Sequence, residues 1–108
     1  MHLDSNVHGY LGLGQRASLI CSGQDVVKQA ILKGAVKLLL IAEDAAERTC
    51  KEFVLLAEAK GLIYLQVGFK SDYGAALGKP DRSIIGVLDQ GYAKSLQKKI
   101  KQMLGGMP

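Results

Sequence analysis

The chain has 108 residues, of which 48% are hydrophobic and 22% charged, a composition typical of one globular domain with its own core. The longest uninterrupted apolar run, Leu38 to Ala42, is far shorter than the roughly 20 residues that cross a bilayer. These values argue against a disordered chain and a membrane helix. We expect a single domain over residues 1–108, with mobile ends at residues 1–6 and 105–108.

The amino terminus and the two cysteines indicate a reducing compartment. Residues 1–6 lack the basic region and apolar stretch of an export signal, so we expect a cytoplasmic protein. In that compartment Cys21 and Cys50 are predicted to be reduced, buried thiols. Because neither cysteine belongs to a CxxC motif or has a histidine at ligand spacing, we expect no metal site and no cofactor.

Positive charge is concentrated in the second half of the chain. Residues 1–54 carry six basic and six acidic side chains, whereas residues 55–108 carry eight basic and four acidic ones, so the net charge of +4 lies in the second half. Such a surplus suits a polyanionic partner such as RNA. A basic helix is usually just a solvated face, so charge alone leaves both interpretations open.

Helix-like and strand-like patterns alternate from the start of the chain. Apolar residues at i, i+3, i+4 and i+7 predict a first helix around residues 7–14, followed by a brief strand at residues 19–21. Ser22, with Asp25 three residues later, is predicted to cap a second helix, and Gly34 to end it in a left-handed conformation. The predicted apolar face of this second helix consists of Val26, Val27, Ala30 and Ile31.

The middle of the chain predicts a buried strand and a long helix. Residues 36–42 lack polar alternation apart from one lysine, which indicates a strand buried on both faces of a sheet. Asp44, three residues before Glu47, repeats the cap spacing and predicts a helix that runs to Lys60 and stops at Gly61. The predicted apolar stripe of that helix consists of Cys50, Phe53, Val54 and Ala57.

The rest of the chain predicts a strand at 63–67, a short helix at 71–77, a loop at 78–83, a strand at 84–88 and a last helix capped by Asp89. The order α-β-α-β-α-β-α-β-α leaves room for a crossover helix between strands. We therefore expect a three-layer α/β/α sandwich around a four-stranded sheet, mostly parallel or mixed. The last helix is predicted to direct Tyr92, Leu96, Ile100 and Met103 inward and Lys94, Lys98 and Lys101 outward.

Residues 12–17 match G-x-G-x-x-A, the dinucleotide-binding fingerprint, but they lack its context. The fingerprint follows a strand, opens a helix and precedes an acidic side chain by about 20 residues. Here a helix precedes the glycines, a strand follows them, and Lys37 stands where the acidic residue belongs. A nucleotide-using enzyme is therefore only a third alternative.

No combination of nucleophile and general base is recognisable, so we expect the protein not to be an enzyme. His2 and His8 lie near the amino terminus, and no serine or cysteine stands in a G-x-S-x-G context. Glu43 and Asp44 follow the carboxyl end of a strand, where α/β enzymes place carboxylates. The spacing of Asp44 from Glu47 favours a helix cap instead, with Glu43 as a solvated neighbour.

The second helix combines a polar face with an open beginning. Polar side chains recur at i, i+4 and i+8 on one face. Gly23 precedes the helix, so the first N–H groups and the positive dipole end are available to an anion such as a phosphate. An ordinary polar helix surface is the alternative interpretation. The polar surface comprises Asp25, Lys28, Gln29, Lys33 and, at the start of the next strand, Lys37.

Several segments together carry a family resemblance. They are residues 22–34, 36–45, 60–61, 73–78 and 84–91, within a resemblance that covers residues 11–104. The most specific of them includes KLLLIAED at residues 37–44, which follows a helix and a glycine. These segments resemble the kink-turn-binding ribosomal proteins related to ribosomal protein L7Ae, and among them the small bacterial YlxQ branch.

Such a resemblance implies an α/β/α sandwich that binds RNA kink-turns, which are sharply bent duplexes with tandem sheared G·A pairs. It also implies that the start of the second helix enters the groove at those pairs, and that a loop before the last strand covers an extruded nucleotide. The family motif G-x-N-E-x-x-K keeps Gly23, whereas Asp25, Val26 and Gln29 replace its asparagine, glutamate and lysine. Ionised Asp25 only accepts hydrogen bonds, so we expect weaker kink-turn recognition than in the archaeal relatives.

We therefore predict a monomeric, non-catalytic protein that recognises kinked, structured RNA, ribosomal or ribosome-associated, without a membrane or DNA partner. The alternative is a protein-interaction module on the same fold with weak or generic RNA affinity. The predicted RNA-binding residues are Gly23, Gln24, Asp25, Lys28, Gln29, Lys33, Lys37, Glu43, Asp44 and, in the loop before the last strand, Lys79, Pro80 and Arg82.

Overall fold

The computed structural model describes residues 1–105, and within them helices and strands alternate in the predicted order. No helix in this part of the chain is long and apolar enough to cross a bilayer. The elements are α1 (Ser5–Arg16), β1 (Ile20–Ser22), α2 (Gln24–Leu32), β2 (Leu38–Ile41), α3 (Glu47–Lys60), β3 (Tyr64–Gln66), α4 (Lys70–Leu77), β4 (Ile84–Val87) and α5 (Gln90–Gly105).

The four strands form one mixed sheet in the order β1-β4-β2-β3. β4 is antiparallel to both β1 and β2, and β2 is parallel to β3. The sheet is thus mixed, which confirms the expected four-stranded mixed sheet. Because β1, β2 and β3 point the same way, their carboxyl ends meet the start of β4 at a single edge of the sheet.

Helices cover both faces of the sheet and give the predicted three layers. One core cluster joins α1, α4 and α5 to the sheet, and a second joins α2 and α3 to the opposite face. The side chains of β2 alternate between the two clusters, with Leu38 and Leu40 in the first and Leu39 and Ile41 in the second. The expectation that this strand is buried on both faces is confirmed.

Several helix ends follow the sequence signals and two do not. Gly34 and Gly61 adopt the left-handed conformation after α2 and α3, and Asp89 accepts a hydrogen bond from the Tyr92 amide at 2.8 Å. The predicted caps at Ser22 and Asp44 are wrong. The residues at those N-cap positions are Gly23 and Ala46, neither with a side-chain cap, because the Ser22 and Asp44 side chains bind elsewhere.

The amino-terminal segment is packed, although we expected residues 1–6 to be mobile. Leu3 is buried in the α1/α4/α5 cluster, and Asp4 accepts a hydrogen bond from the Val7 amide at 2.9 Å, which caps α1. The α-amino group of Met1 lies 2.7 Å from the Glu43 carboxylate. At the other end, Gly105 belongs to α5, and residues 106–108, also expected to be mobile, lie outside the described residues.

Four side chains differ in exposure from their predicted positions. Val26 was placed on the apolar face of α2 but is 57% exposed. Cys21 and Cys50 were expected to be buried and are half-buried, with free thiols. Burial raises the pKa of the Cys21 thiol, which keeps it protonated. The remaining inward residues of α5 are buried as predicted, except Met103, which is half-buried.

Candidate nucleic-acid interface

One edge of the sheet collects the beginnings of three helices. α2, α3 and α4 each follow a strand whose carboxyl end lies at this edge, so their N-termini open there. Helix N-termini carry free N–H groups and the positive end of the helix dipole, which favour anions. The chain segments that surround this edge form what we call the candidate site, made up of residues 22–25, 43–44, 68–70 and 79–83.

The start of α2 is held in place by its backbone and left open by its side chains. Gly23 has φ 99° and ψ 148°, a conformation that glycine adopts readily and other residues avoid. Its N–H donates to the Ile84 carbonyl at 3.0 Å, which fixes the helix to the start of β4. No side chain caps the helix, and Gln24, Asp25 and Val26 are exposed. Their backbone N–H groups are therefore available to a ligand.

The loop before β4 lies beside this helix start. Arg82 Nε donates to Ser22 Oγ at 3.2 Å, and the Arg82 amide donates to the Lys70 carbonyl at 3.1 Å. The same loop presses on α4, where the Lys79 amide donates to the Gly74 carbonyl at 2.9 Å. Arg82 thus joins the end of β1, the start of α4 and the loop, with Lys79 and Pro80 exposed at its tip.

Glu43 and Asp44 line the same edge from the end of β2. Asp44 Oδ1 accepts a hydrogen bond from the Lys70 amide at 2.8 Å, so this carboxylate caps α4 rather than α3. The Glu43 amide donates to the Gly68 carbonyl at 2.7 Å, and its carboxylate pairs with the α-amino group of Met1. Both carboxylates stay exposed at the surface.

The candidate site itself is close to electrically neutral. Its acidic side chains, which would repel phosphates on their own, are balanced by basic ones and by the adjacent α-amino group. Long-range attraction of a polyanion therefore does not come from this edge, which instead offers short-range donors and acceptors. The acidic residues are Asp25, Glu43, Asp44 and Asp81, and the basic ones are Lys70, Lys79 and Arg82.

The predicted RNA-binding residues are divided between two ends of the molecule. Lys28 and Gln29 lie in the second turn of α2, next to the candidate site. Lys33 and Lys37 do not, because ten residues of helix put Lys33 about 15 Å from Gly23 at ~1.5 Å per residue. The structure brings together at the candidate site Gly23, Gln24, Asp25, Glu43, Asp44, Lys79, Pro80 and Arg82.

Local contacts orient Lys28 and Lys37, two of the predicted lysines. Lys28 Nζ lies 3.0 Å from Glu52 Oε2 on α3, an ion pair at the surface. Lys33 and Lys37 lie by the carboxyl end of α2, and Lys37 Nζ donates to the Gly34 carbonyl at 3.3 Å. Cations are favoured at that end by the helix dipole, which gives both lysines a structural role without a ligand.

Sequence patterns missed two exposed residues of this region. Val26 lies in the first turn of α2 and was assigned to the core, because an apolar residue next to Val27 fits a helical stripe equally well. Lys70 begins α4, and its proximity to Asp44 depends on the parallel pairing of β2 and β3. Only the order of strands in the sheet reveals that contact.

The surroundings of two ionisable groups on α4 shift their pKa values. Partial burial acts to raise the pKa of Asp72, but hydrogen bonds from the Phe69 amide and the His2 ring outweigh it and hold that pKa below its usual range. Burial raises the pKa of Tyr73, whose hydroxyl donates to the Val67 carbonyl at 2.7 Å. Within residues 1–105, no group of three or more His, Cys, Asp or Glu is placed to hold a metal ion.

Sequence similarity relates the chain to one family. It matches the model of the ribosomal protein L7Ae/L30e/S12e/Gadd45 family over residues 5–97. It is 35% identical over 86 residues to "RNA-binding protein YlxQ" of Bacillus subtilis (strain 168), which spans 80% of this chain and 86% of that protein. It is 25% identical over 91 residues to "RNA-binding protein YlxQ" of Enterococcus faecium, spanning 84% and 87%.

Solved structures share this fold. A protein of unknown function from Bacillus halodurans C has a TM-score of 0.86 and 30% identity, over 91% of this chain and 99% of that one. The Giardia lamblia 15.5kD RNA binding protein has a TM-score of 0.71 over 98% and 91%, and its 18% identity shows the fold alone. The chain therefore belongs to the ribosomal protein L7Ae/L30e/S12e/Gadd45 family, as a YlxQ-type member.

Proposed function

We propose that this chain is a non-catalytic RNA-binding protein that recognises kinked, kink-turn-like RNA, ribosomal or ribosome-associated, as a cytoplasmic monomer. The observation that carries the proposal is the uncapped start of α2 beside the Arg82 loop, in a chain whose YlxQ relatives are named RNA-binding proteins. A kinked RNA duplex has a widened groove. The end of an α-helix enters this groove more easily than it enters the major groove of a regular RNA duplex.

The open helix start supplies donors for the nucleic acid. The free N–H groups of residues 24–26 and the positive dipole end point toward a phosphate or a base acceptor. The Gln24 amide offers both donors and an acceptor, whereas the Asp25 carboxylate only accepts. Asp25 therefore selects N–H groups on base edges, and each good base contact contributes about 1–3 kcal/mol of discrimination.

The Arg82 loop closes the other side of the proposed contact. Arg82 is oriented by Ser22 and the chain before it, so its guanidinium is pre-positioned rather than free to rotate. Lys79 at the exposed tip suits a phosphate, and the adjacent Pro80 ring offers an apolar surface to an unstacked base. In this proposal the protein recognises the shape and the backbone charge of the RNA together with a few contacts in its groove.

Lys28 reaches RNA only by leaving its partner on α3. The Lys28–Glu52 pair is exposed on both sides, with 45% and 42% of each side chain accessible, and exposed pairs contribute only roughly 0.2–1 kcal/mol. A contact with phosphate offsets that cost, so we keep Lys28 and Gln29 in the proposed interface. Lys33 and Lys37 stay a prediction for RNA that follows α2 to its carboxyl end.

A binding titration with two RNAs tests the proposal. We expect tighter binding to a kink-turn duplex than to a straight duplex of matched length and composition. Arg82→Gln should reduce the ratio of the two affinities, because it removes a pre-positioned charge beside α2. Lys51→Gln, on the outer side of α3, is the matched control and should leave the ratio unchanged. Equal affinity of the wild type for both RNAs would contradict the proposal and favour a protein-interaction module.

A further inference from the structure

The outer surface of α5 carries three lysines in a row. Lys94, Lys98 and Lys101 recur at i, i+4 and i+7, and all three are exposed. α5 contains no aspartate or glutamate between residues 90 and 105. In the described part of the chain, none of the three lysines forms an ion pair. We call these three residues the α5 stripe.

Other side chains of α5 pack against the rest of the protein. Leu96 and Ile100 are fully buried in the cluster with α1 and α4. A fourth lysine, Lys99, lies over the ring of Tyr10 at 4.9 Å from its centroid, so it stabilises the packing of α1 on α5. The α5 stripe is flanked by Gln97 and Gln102, whose amides add hydrogen-bonding groups, and Leu104 is exposed near its carboxyl end.

Stability of the helix does not account for the α5 stripe. Like charges four residues apart on a helix repel each other and destabilise it. The helix dipole does not favour the stripe, because its effect falls off within the first and last turns and none of the three lysines lies in the last turn of α5. An unpaired stripe of this kind therefore costs stability, and a partner of opposite charge is its simplest physical explanation.

The α5 stripe lies on the opposite face of the sheet from α2. α5 packs with α1 and α4, whereas α2 packs with α3 on the other face, so the α5 stripe is separate from the candidate site. It extends about 10 Å along the helix at ~1.5 Å per residue. By analogy with DNA, which carries one charge per ~3.4 Å of axis on each strand, that length matches about three phosphates.

We propose that the α5 stripe is a second RNA-contact surface that binds the phosphate backbone of a duplex segment outside the kinked region. The inference rests on the proposed function, because it takes RNA as the polyanion. A lipid surface is the less favoured partner, because Tyr92, Leu96 and Ile100 of α5 are buried, and the exposed Leu104 at the end of the helix offers too little apolar surface to insert into a membrane. Such a contact is independent of sequence and sensitive to salt.

Matched double variants test this surface. Lys94→Gln with Lys98→Gln should lower affinity for duplex RNA and reduce the slope of log affinity against log salt by about 2, at ~0.9 per phosphate contact. Between 50 and 200 mM salt, the wild type should then lose about tenfold more affinity than the variant. Lys51→Gln with Lys60→Gln makes the same change in net charge on α3 and should leave the slope unchanged. Arginine at positions 94 and 98 should restore the slope.

The outcomes separate this inference from the proposed function. If the α5 stripe binds the backbone, the Lys94/Lys98 variant weakens binding to kink-turn and straight duplexes by the same factor, and their affinity ratio is preserved. Failure of the wild type to prefer the kink-turn would contradict the proposed function alone. An equal loss of RNA affinity in the α3 control, or an unchanged salt slope in the α5 variant, would overturn the proposed RNA contact of the α5 stripe. The same conclusion would follow if the α5 variant lost binding to phosphatidylserine-containing vesicles but kept its affinity for RNA.

Discussion

Replacing Gly74 with alanine tests whether α4 sets the position of the Arg82 loop. A β-carbon at this buried position would lie 2.7 Å from the Pro80 carbonyl oxygen and 2.9 Å from that of Lys79, both closer than real contacts allow. These are backbone atoms, so the loop has to move. The higher helix propensity of alanine stabilises the folded state by about 1 kcal/mol. Overpacking destabilises it by about 1–3 kcal/mol, and loss of the hydrogen bond from the Lys79 amide to the Gly74 carbonyl by about 1 kcal/mol. We expect a net loss of about 1–3 kcal/mol.

Gly9→Ala provides the matched control, because Gly9 also lies within a helix but its β-carbon would meet no atom within 4 Å. That variant should gain about 1 kcal/mol, so the two melting temperatures should move in opposite directions, by roughly 4–8 °C per kcal/mol in a domain of this size. Thermal unfolding and urea titration both measure the difference. If Gly74→Ala stabilises the protein as Gly9→Ala does, the loop does not press on α4. The displaced loop should also lower the preference for kink-turn RNA.

Three further substitutions test separate steps of the reasoning. Gly23→Ala should lose about 1–3 kcal/mol of stability in urea titration, because its β-carbon meets nothing within 4 Å and the whole cost is the backbone conformation at φ 99°. An unchanged stability would mean that this conformation is not required. Gln29→Lys should tighten kink-turn binding and steepen its salt slope by about 0.9, and no gain would contradict the mapping of the family motif onto α2. Asp72 has a lowered pKa in the folded state, so its stabilising effect is present at neutral pH and is lost as the pH falls through that value. The melting temperature of Asp72→Asn should therefore fall less steeply than that of the wild type below about pH 4. Parallel curves of melting temperature against pH for the two proteins would refute this.

Periodicity and glycine positions were sufficient to predict the elements of this fold. The uninterrupted apolar run at residues 36–42 needs two apolar faces, and the structure gives it two core clusters. Gly34 and Gly61 end helices because both adopt left-handed conformations. Both patterns depend only on residues close together in the sequence, so they indicate the same secondary structure whatever the tertiary arrangement is.

Contacts at the candidate site depend on strand order, and local patterns do not contain it. Ser22 and Asp44 stand at plausible cap spacing, yet their side chains bind Arg82 and the Lys70 amide, residues that are distant in sequence. The loop of residues 79–83 reaches α2 only because β4 pairs between β1 and β2. A polar stripe along α2 likewise looks continuous in the sequence, although its two ends lie at opposite edges of the sheet.

The positive charge that attracts RNA and the groups that would discriminate between RNAs lie on different surfaces of this protein. The candidate site is nearly neutral, whereas the α5 stripe is an unopposed row of positive charge on the other face of the sheet. Attraction over a Debye length, about 8 Å at physiological salt, depends on such unopposed charge, whereas discrimination depends on donors and acceptors at contact distance. If the two functions are carried by different surfaces, raising the salt concentration should weaken overall affinity while leaving the preference for kink-turn over straight RNA nearly constant. A preference that disappears together with the affinity would place both functions on a single charged surface and contradict this division.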